Sequence, residues 1–148
     1  MKKKLIPVVV LIMVLCQSCD PVVVIEIKNR STDTVLIYSA MYNSIDSIST
    51  GFPHRLQFDK YGKIILFNDN GISYYTPPDS VITYGEIGNK RTIFRNRKGY
   101  FFIITLETAK NYTWDEIRKN RLYDTLIVTN EMLRKNDWRI DYYGSIRE

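Results

Sequence analysis

Histidine occurs once in the 148 residues, at position 54, and cysteine twice, at 16 and 19. A single histidine excludes histidine-rich metal sites, and His54, after Pro53 in a loop composition, reads as a solvated residue. A tetrahedral zinc site needs four ligands, and no third cysteine exists to join Cys16 and Cys19. A redox Cys-x-x-Cys places its first cysteine at a helix N-terminus after a strand, where the dipole lowers its pKa. Here Cys16 ends an apolar run instead. No cysteine follows Cys19, so no disulfide can staple the rest of the chain. Glycine-rich phosphate loops and nucleophile elbows are missing as well. No cofactor is expected from these residues, and no metal.

A large excess of charge is also absent. The 21 basic and 16 acidic residues leave +5, but three of the lysines are Lys2, Lys3 and Lys4. Beyond them 18 basic residues face 16 acidic ones, a net of +2 and no balance for nucleic acid. The longest apolar run, Leu5 to Leu15, falls far short of the roughly 20 residues of a spanning helix. With the lysines before it and Ser18 after it, the run has the layout of a secretory signal. Residues 1–18 are expected to be removed, leaving 19–148 as one domain by length.

The stretch "LCQSC" at 15–19 resembles a bacterial lipoprotein signal, with Ser18 as the small residue and Cys19 as the lipidated one. Cys16 stands where the usual pattern has leucine. The resemblance implies acyl chains on Cys19 and export to a bacterial membrane. Asp20 is a lone acid before Pro21 and Val22 rather than an acidic run, which points to an outer-membrane protein facing the periplasm. Each buried methylene contributes about 0.8 kcal/mol, so two or three chains anchor a domain durably.

From residue 22 to residue 106 the pattern is strands and turns. The predicted strands are 22–28, 34–39, 45–49, 55–58, 63–67, 72–76, 81–85, 91–96 and 100–106, with a tight turn at Asn70-Gly71. The run "YFFIITL" is apolar on both faces and is predicted to be a central strand. Two capped helices are predicted near the C-terminus. Thr113 and Glu116 form a capping box with Tyr112 and Ile117 as a staple, and Thr129 caps the second helix. A strand at 124–128 separates them. "WRIDYY" closes the chain with Trp138, Ile140 and Tyr142 on one face. The expected fold is mainly β: a single immunoglobulin-like or related β-sandwich with two short helices near the C-terminus.

The C-terminal third carries a second resemblance. Trp114, Glu116, Ile117, Leu122, Tyr123, Leu133, Trp138, Ile140 and Tyr142 are similar to the tail of small lipoproteins from Gram-negative anaerobes of the Bacteroidales type. "ITYGE" at 82–86 sits where such proteins often have Ile-x-Pro-Gly-Glu. The resemblance implies an uncharacterised lipoprotein family and carries no catalytic residues.

Three constellations bear on function. Tyr74, Tyr75 and Tyr84 are a candidate aromatic platform for sugar rings. Lys90, Arg91, Arg95, Arg97 and Lys98 form a basic stretch without an acid, a candidate membrane-facing patch. Asp115 with Glu116, or Asp137 with Asp141, are the candidate pairs for glycoside hydrolysis. The expectation is a non-enzymatic, lipid-anchored envelope protein that binds a protein or glycan. The alternative is a small carboxylate-dependent glycan hydrolase. A cleft with close, shielded acids would favour the hydrolase, and an aromatic or apolar surface would favour binding.

Overall fold

The computed structural model describes residues 22–40, 42–48, 57–66, 75–87, 94 and 98–144. Among these residues six strands form two three-stranded sheets. β1 (Val22–Asn29) lies at the centre of the first sheet, between β3 (Val81–Ile87) and β6 (Arg139–Tyr142). It pairs antiparallel with β3, from Val22↔Ile87 to Lys28↔Val81, and parallel with β6, from Glu26↔Arg139 to Asn29↔Tyr142. β4 (Lys98–Thr105) is central in the second sheet, antiparallel to β2 (Val35–Ala40) on one side and β5 (Asp124–Thr129) on the other.

Strand patterning explains the layers. In β1, Val23, Ile25 and Ile27 are buried, whereas Val24 is 47% exposed. Outward-pointing charges join the strands of that face, with Arg139 donating to Glu26 at 2.6 Å. β4 buries both sides, because Phe101 and Ile103 enter one apolar cluster while Phe102 and Ile104 enter another. The first cluster draws on both sheets and includes Ile25, Ile37, Tyr84 and Ile140. The second covers the opposite face of the β2–β4–β5 sheet with Ile45, Ile64, Ala109 and Ile117. This is the central strand that an apolar run on both faces predicts.

Among the described residues three short α-helices, rather than two, fall between the last strands: α1 (Leu106–Asn111) and α2 (Trp114–Lys119) after β4, and α3 (Asn130–Lys135) after β5. Each begins on a threonine whose hydroxyl accepts a backbone N–H: Thr105 from Thr108, Thr113 from Glu116 and Thr129 from Met132. α1 escapes the sequence pattern because Leu106 reads as the end of the apolar run of β4, with only Thr105 between them. α2 and α3 end alike. Leu122 N–H donates to the Ile117 carbonyl and Trp138 N–H to that of Leu133, across Arg121 and Asp137 at positive φ. These are six-to-one closures with the usual apolar contact, Leu122 joining the cluster of Ile117 and Trp138 that of Leu133. Trp138 packs half-buried against the first cluster, ahead of buried Ile140 and Tyr142.

Other expected strands take different forms. Residues 45–47 make one turn of 3-10 helix on Ser44, whose hydroxyl accepts the Asp46 N–H. In the 55–58 and 63–67 runs the described part is a hairpin with a single bridge, Phe58↔Ile64. Thr76 bridges Val35, while Asn70-Gly71 and all of 91–96 except Phe94 lie outside the described residues.

Asn29, fully buried at the end of β1, ties the sheets together. Its Nδ2 donates to the Asp33 carbonyl at 2.8 Å and the Thr76 carbonyl at 3.0 Å. Its Oδ1 accepts from Ser31 N–H at 3.1 Å and from the Ser31 hydroxyl at 2.6 Å. All four positions of the amide are filled. Asn29→Ala should cost about 2–4 kcal/mol in urea unfolding, because it strands several buried groups at once. Asn29→Asp turns an acceptor-only carboxylate towards two carbonyls, raising that carboxyl in the folded state. Relative to wild type, its stability should therefore fall as pH climbs from about 3.9 through the raised value. A pH-independent difference between Asn29→Asp and wild type would refute this account.

Candidate functional site

A cleft of about 490 Å³ opens where β1, β4 and β6 end and β2 and β5 begin. Asp33 reaches it from the turn between β1 and β2, held from below by the Asn29 amide. Glu107 and Asn111 come from α1, whose start is fixed by the Thr105 cap. Asp124 opens β5, Tyr142 ends β6, and the Tyr142 hydroxyl donates to the Asp124 carboxylate. That bond joins the edge strands of the two sheets. Tyr112, 41% exposed, and Leu122 supply apolar wall. A neighbouring hollow of about 260 Å³ shares Asp33, Thr105 and Glu107 and adds Lys110.

The lining is rich in hydrogen-bonding groups. A general acid must keep its proton at neutral pH, and burial is what holds a carboxyl there. Asp33 and Glu107 are open to solvent, and Asp124 is engaged by Tyr142. Among the described residues no group of three or more His, Cys, Asp or Glu could hold a metal ion. Asn111, Thr105 and the carboxylates can bond hydroxyl and amide groups, with Tyr112 as an aromatic side. Sequence reasoning did not find this site. Its residues come from four separate segments, and only the strand order brings them together.

The residues singled out in the sequence fall elsewhere. Tyr84 is buried in the first cluster, edge-on to Phe101 at 5.2 Å, with its hydroxyl donating to the Ile37 carbonyl. Burial, with Tyr38 nearby, pushes that phenol well above its usual range. Tyr75 is half-buried in the second cluster, on the other side of the β2–β4–β5 sheet. The two rings therefore cannot share one surface, which corrects the expected platform. Tyr74 lies outside the described residues. So do Cys19, His54, Lys90, Arg91, Arg95 and Arg97. Lys98 is exposed at the start of β4, paired with Thr129.

The expected carboxylate pairs have structural duties. Asp115 is exposed and lies 3.7 Å from Arg118. Glu116 closes the capping box, its Oε2 accepting Thr113 N–H and hydroxyl at 2.8 Å each. Asp137 occupies the positive-φ turn after α3, and Asp141 lies 3.6 Å from Arg30 on the outer face of the first sheet. Among the described residues no helix is long and apolar enough to cross a membrane.

The Thr113 backbone and hydroxyl bonds hold the Glu116 carboxyl below its ordinary 4.5. A depressed folded value gives stability that is complete above 4.5 and lost as pH falls through the folded value. Wild type should therefore melt above Glu116→Gln at neutral pH. That margin should shrink below pH 4.5, because the amide does not titrate. Parallel melting curves across pH 3–7 would contradict this assignment.

Comparison with protein-family models, with curated proteins and with solved structures finds no match for this chain.

Proposed function

We propose that this chain is a lipid-anchored component of a bacterial cell envelope. Cys19 holds it to the outer membrane on the periplasmic side, and it binds a protein or glycan without transforming it. The "LCQSC" stretch carries the reading, and the position of Val22 sets how the anchored domain would stand. That residue is already paired with Ile87, so only Asp20 and Pro21 separate Cys19 from the first sheet. Two extended residues reach about 7 Å, too short for a flexible stalk. The domain would then stand close to the headgroups.

The cleft lies at the opposite ends of the strands. An eight-residue strand rises about 25 Å, so the cleft would face away from the membrane. The connection bearing Lys90, Arg91, Arg95 and Arg97 leaves β3 at the residue paired with Val22. It therefore starts from the anchored end. Each of its cations would add up to about 1 kcal/mol near anionic lipid. The apolar cluster shared by the sheets supports a single sandwich as the scaffold between anchor and cleft. The open acids of the cleft favour binding over hydrolysis.

Expression of the full chain in a Gram-negative host tests the anchor. Mass spectrometry of the N-terminal peptide should find acyl groups on Cys19 and none on Cys16. Cys19→Ala should block processing, while Cys16→Ser should be processed normally. A soluble wild-type protein with an unmodified thiol at 19 would overturn the localisation and the orientation with it.

A further inference from the structure

We infer that Phe58, Tyr61 and Trp114 form a saccharide-binding platform, separate from the cleft and on the helical side of the second sheet. The inference rests on the binding reading and supplies its glycan class. The Phe58 and Trp114 rings lie 5.5 Å apart at an interplanar angle of 39°. Phe58 is 40% exposed and Tyr61 68% exposed, while Trp114 is half-buried with its inner side on the second cluster.

The loop that presents these rings is already ordered. Asp59 Oδ1 accepts Tyr61 N–H at 2.8 Å and Lys63 N–H at 2.9 Å. Gly62 N–H donates to the Asp59 carbonyl, and the Gly62 carbonyl accepts Trp114 N–H at 2.9 Å. Lys63 Nζ reaches the Lys110 carbonyl at 3.0 Å, a second tie to the helices. Gly62 sits at φ +75 with open space around it, so the backbone conformation rather than crowding selects glycine. An aromatic held this way loses little entropy when a ligand lands on it. The fold itself has little use for a tyrosine at 61, since most of that side chain is in water.

Size and rim chemistry select the ligand. With about 150–250 Å² per aromatic side chain, the three rings expose roughly 300 Å². A stable protein interface takes about 800 Å² from each partner, so this patch fits a smaller ligand. A pyranose offers an apolar C–H face for the rings and hydroxyls at its edge. Exposed Lys60, its Nζ 4.8 Å from the Tyr61 ring centre, stands beside that ring to meet those hydroxyls, and exposed Asp59 and Asp115 neighbour the platform residues along the chain.

The test titrates the full-length protein, in detergent, with unbranched hexasaccharides of glucose, mannose, galactose and N-acetylglucosamine. Calorimetry on wild type runs beside tryptophan emission, excited at 295 nm or longer, of Trp138→Phe, which leaves Trp114 as the sole tryptophan. At least one sugar should bind saturably and shift Trp114 emission. Tyr61→Ala should weaken that binding about tenfold without lowering the melting temperature. Asn111→Ala, in the cleft, should leave it unchanged. Failure of every sugar to bind overturns the platform. So does binding that survives Tyr61→Ala or disappears with Asn111→Ala. Acylation of Cys19 is read independently, so loss of the platform leaves the anchor standing.

Discussion

The Asn29 amide is the constraint on which the arrangement of the two sheets depends. β1 belongs to one sheet and β2 to the other, yet only residues 30–34 connect them. A buried amide is costly unless all its positions are paired, and Asn29 meets that demand only with both neighbouring segments in place. The 30–34 turn must bring the Asp33 carbonyl and both Ser31 donors to it, and the segment before β3 must bring Thr76. The same point is reinforced through the backbone. Val35 and Thr76 exchange hydrogen bonds, Asn29 N–H donates to Ser80, and Asp79 N–H donates to Asn29. What looks in sequence like a simple turn between two β-branched runs is a corner from sheet to sheet.

Local chemistry was legible where local bonds decide the outcome. The β-branched runs gave β1, β2 and β3 nearly at their observed limits, and the doubly apolar run marked β4 as central. Thr113 with Glu116, and Thr129, marked two helix starts by bonds that span only three residues. The misses share a physical cause. Leu106 belongs to both an apolar run and a helix, and only the Thr105 cap separates them. "IDSIS" carries two β-branched isoleucines like a strand, but Ser44 captures the backbone first and coils it. The parallel pairing of β1 with β6 joins residues more than a hundred positions apart, and no local signal encodes it.

The two sheets meet solvent differently, and that governs which surfaces are open to a partner. The second sheet is covered on one face by the first and on the other by helices and the 57–66 hairpin. At the edge of that cover Trp114 packs on the cluster and Phe58, 5.5 Å from it ring to ring, stays exposed. The first sheet keeps an outer face, and charges occupy it: Glu26 with Arg139, Lys28 and Arg30 with Asp79, and Arg30 with Asp141. Exposed ion pairs of this kind add little stability. Their effect is to keep an extended β surface hydrated while its other face packs.

Tyrosine shows why residue type alone could not locate a site in this chain. The sequence has 11 of them, and they serve opposite ends. Tyr84 and Tyr38 are core, with the Tyr84 phenol spent on a carbonyl of the neighbouring sheet. Tyr142 is almost as buried, but its hydroxyl spans to Asp124 and so forms a wall of the cleft. Tyr61 is free of the core because an Asp59-capped turn lifts it into water. What separates the three is the backbone that carries each one: an inward strand position, a strand end, and a turn closed by a carboxylate. The cleft is accordingly bounded by the polar bonds that fix the fold, at Asn29, Thr105 and Tyr142. Its walls are therefore held by the same bonds that hold the two sheets together.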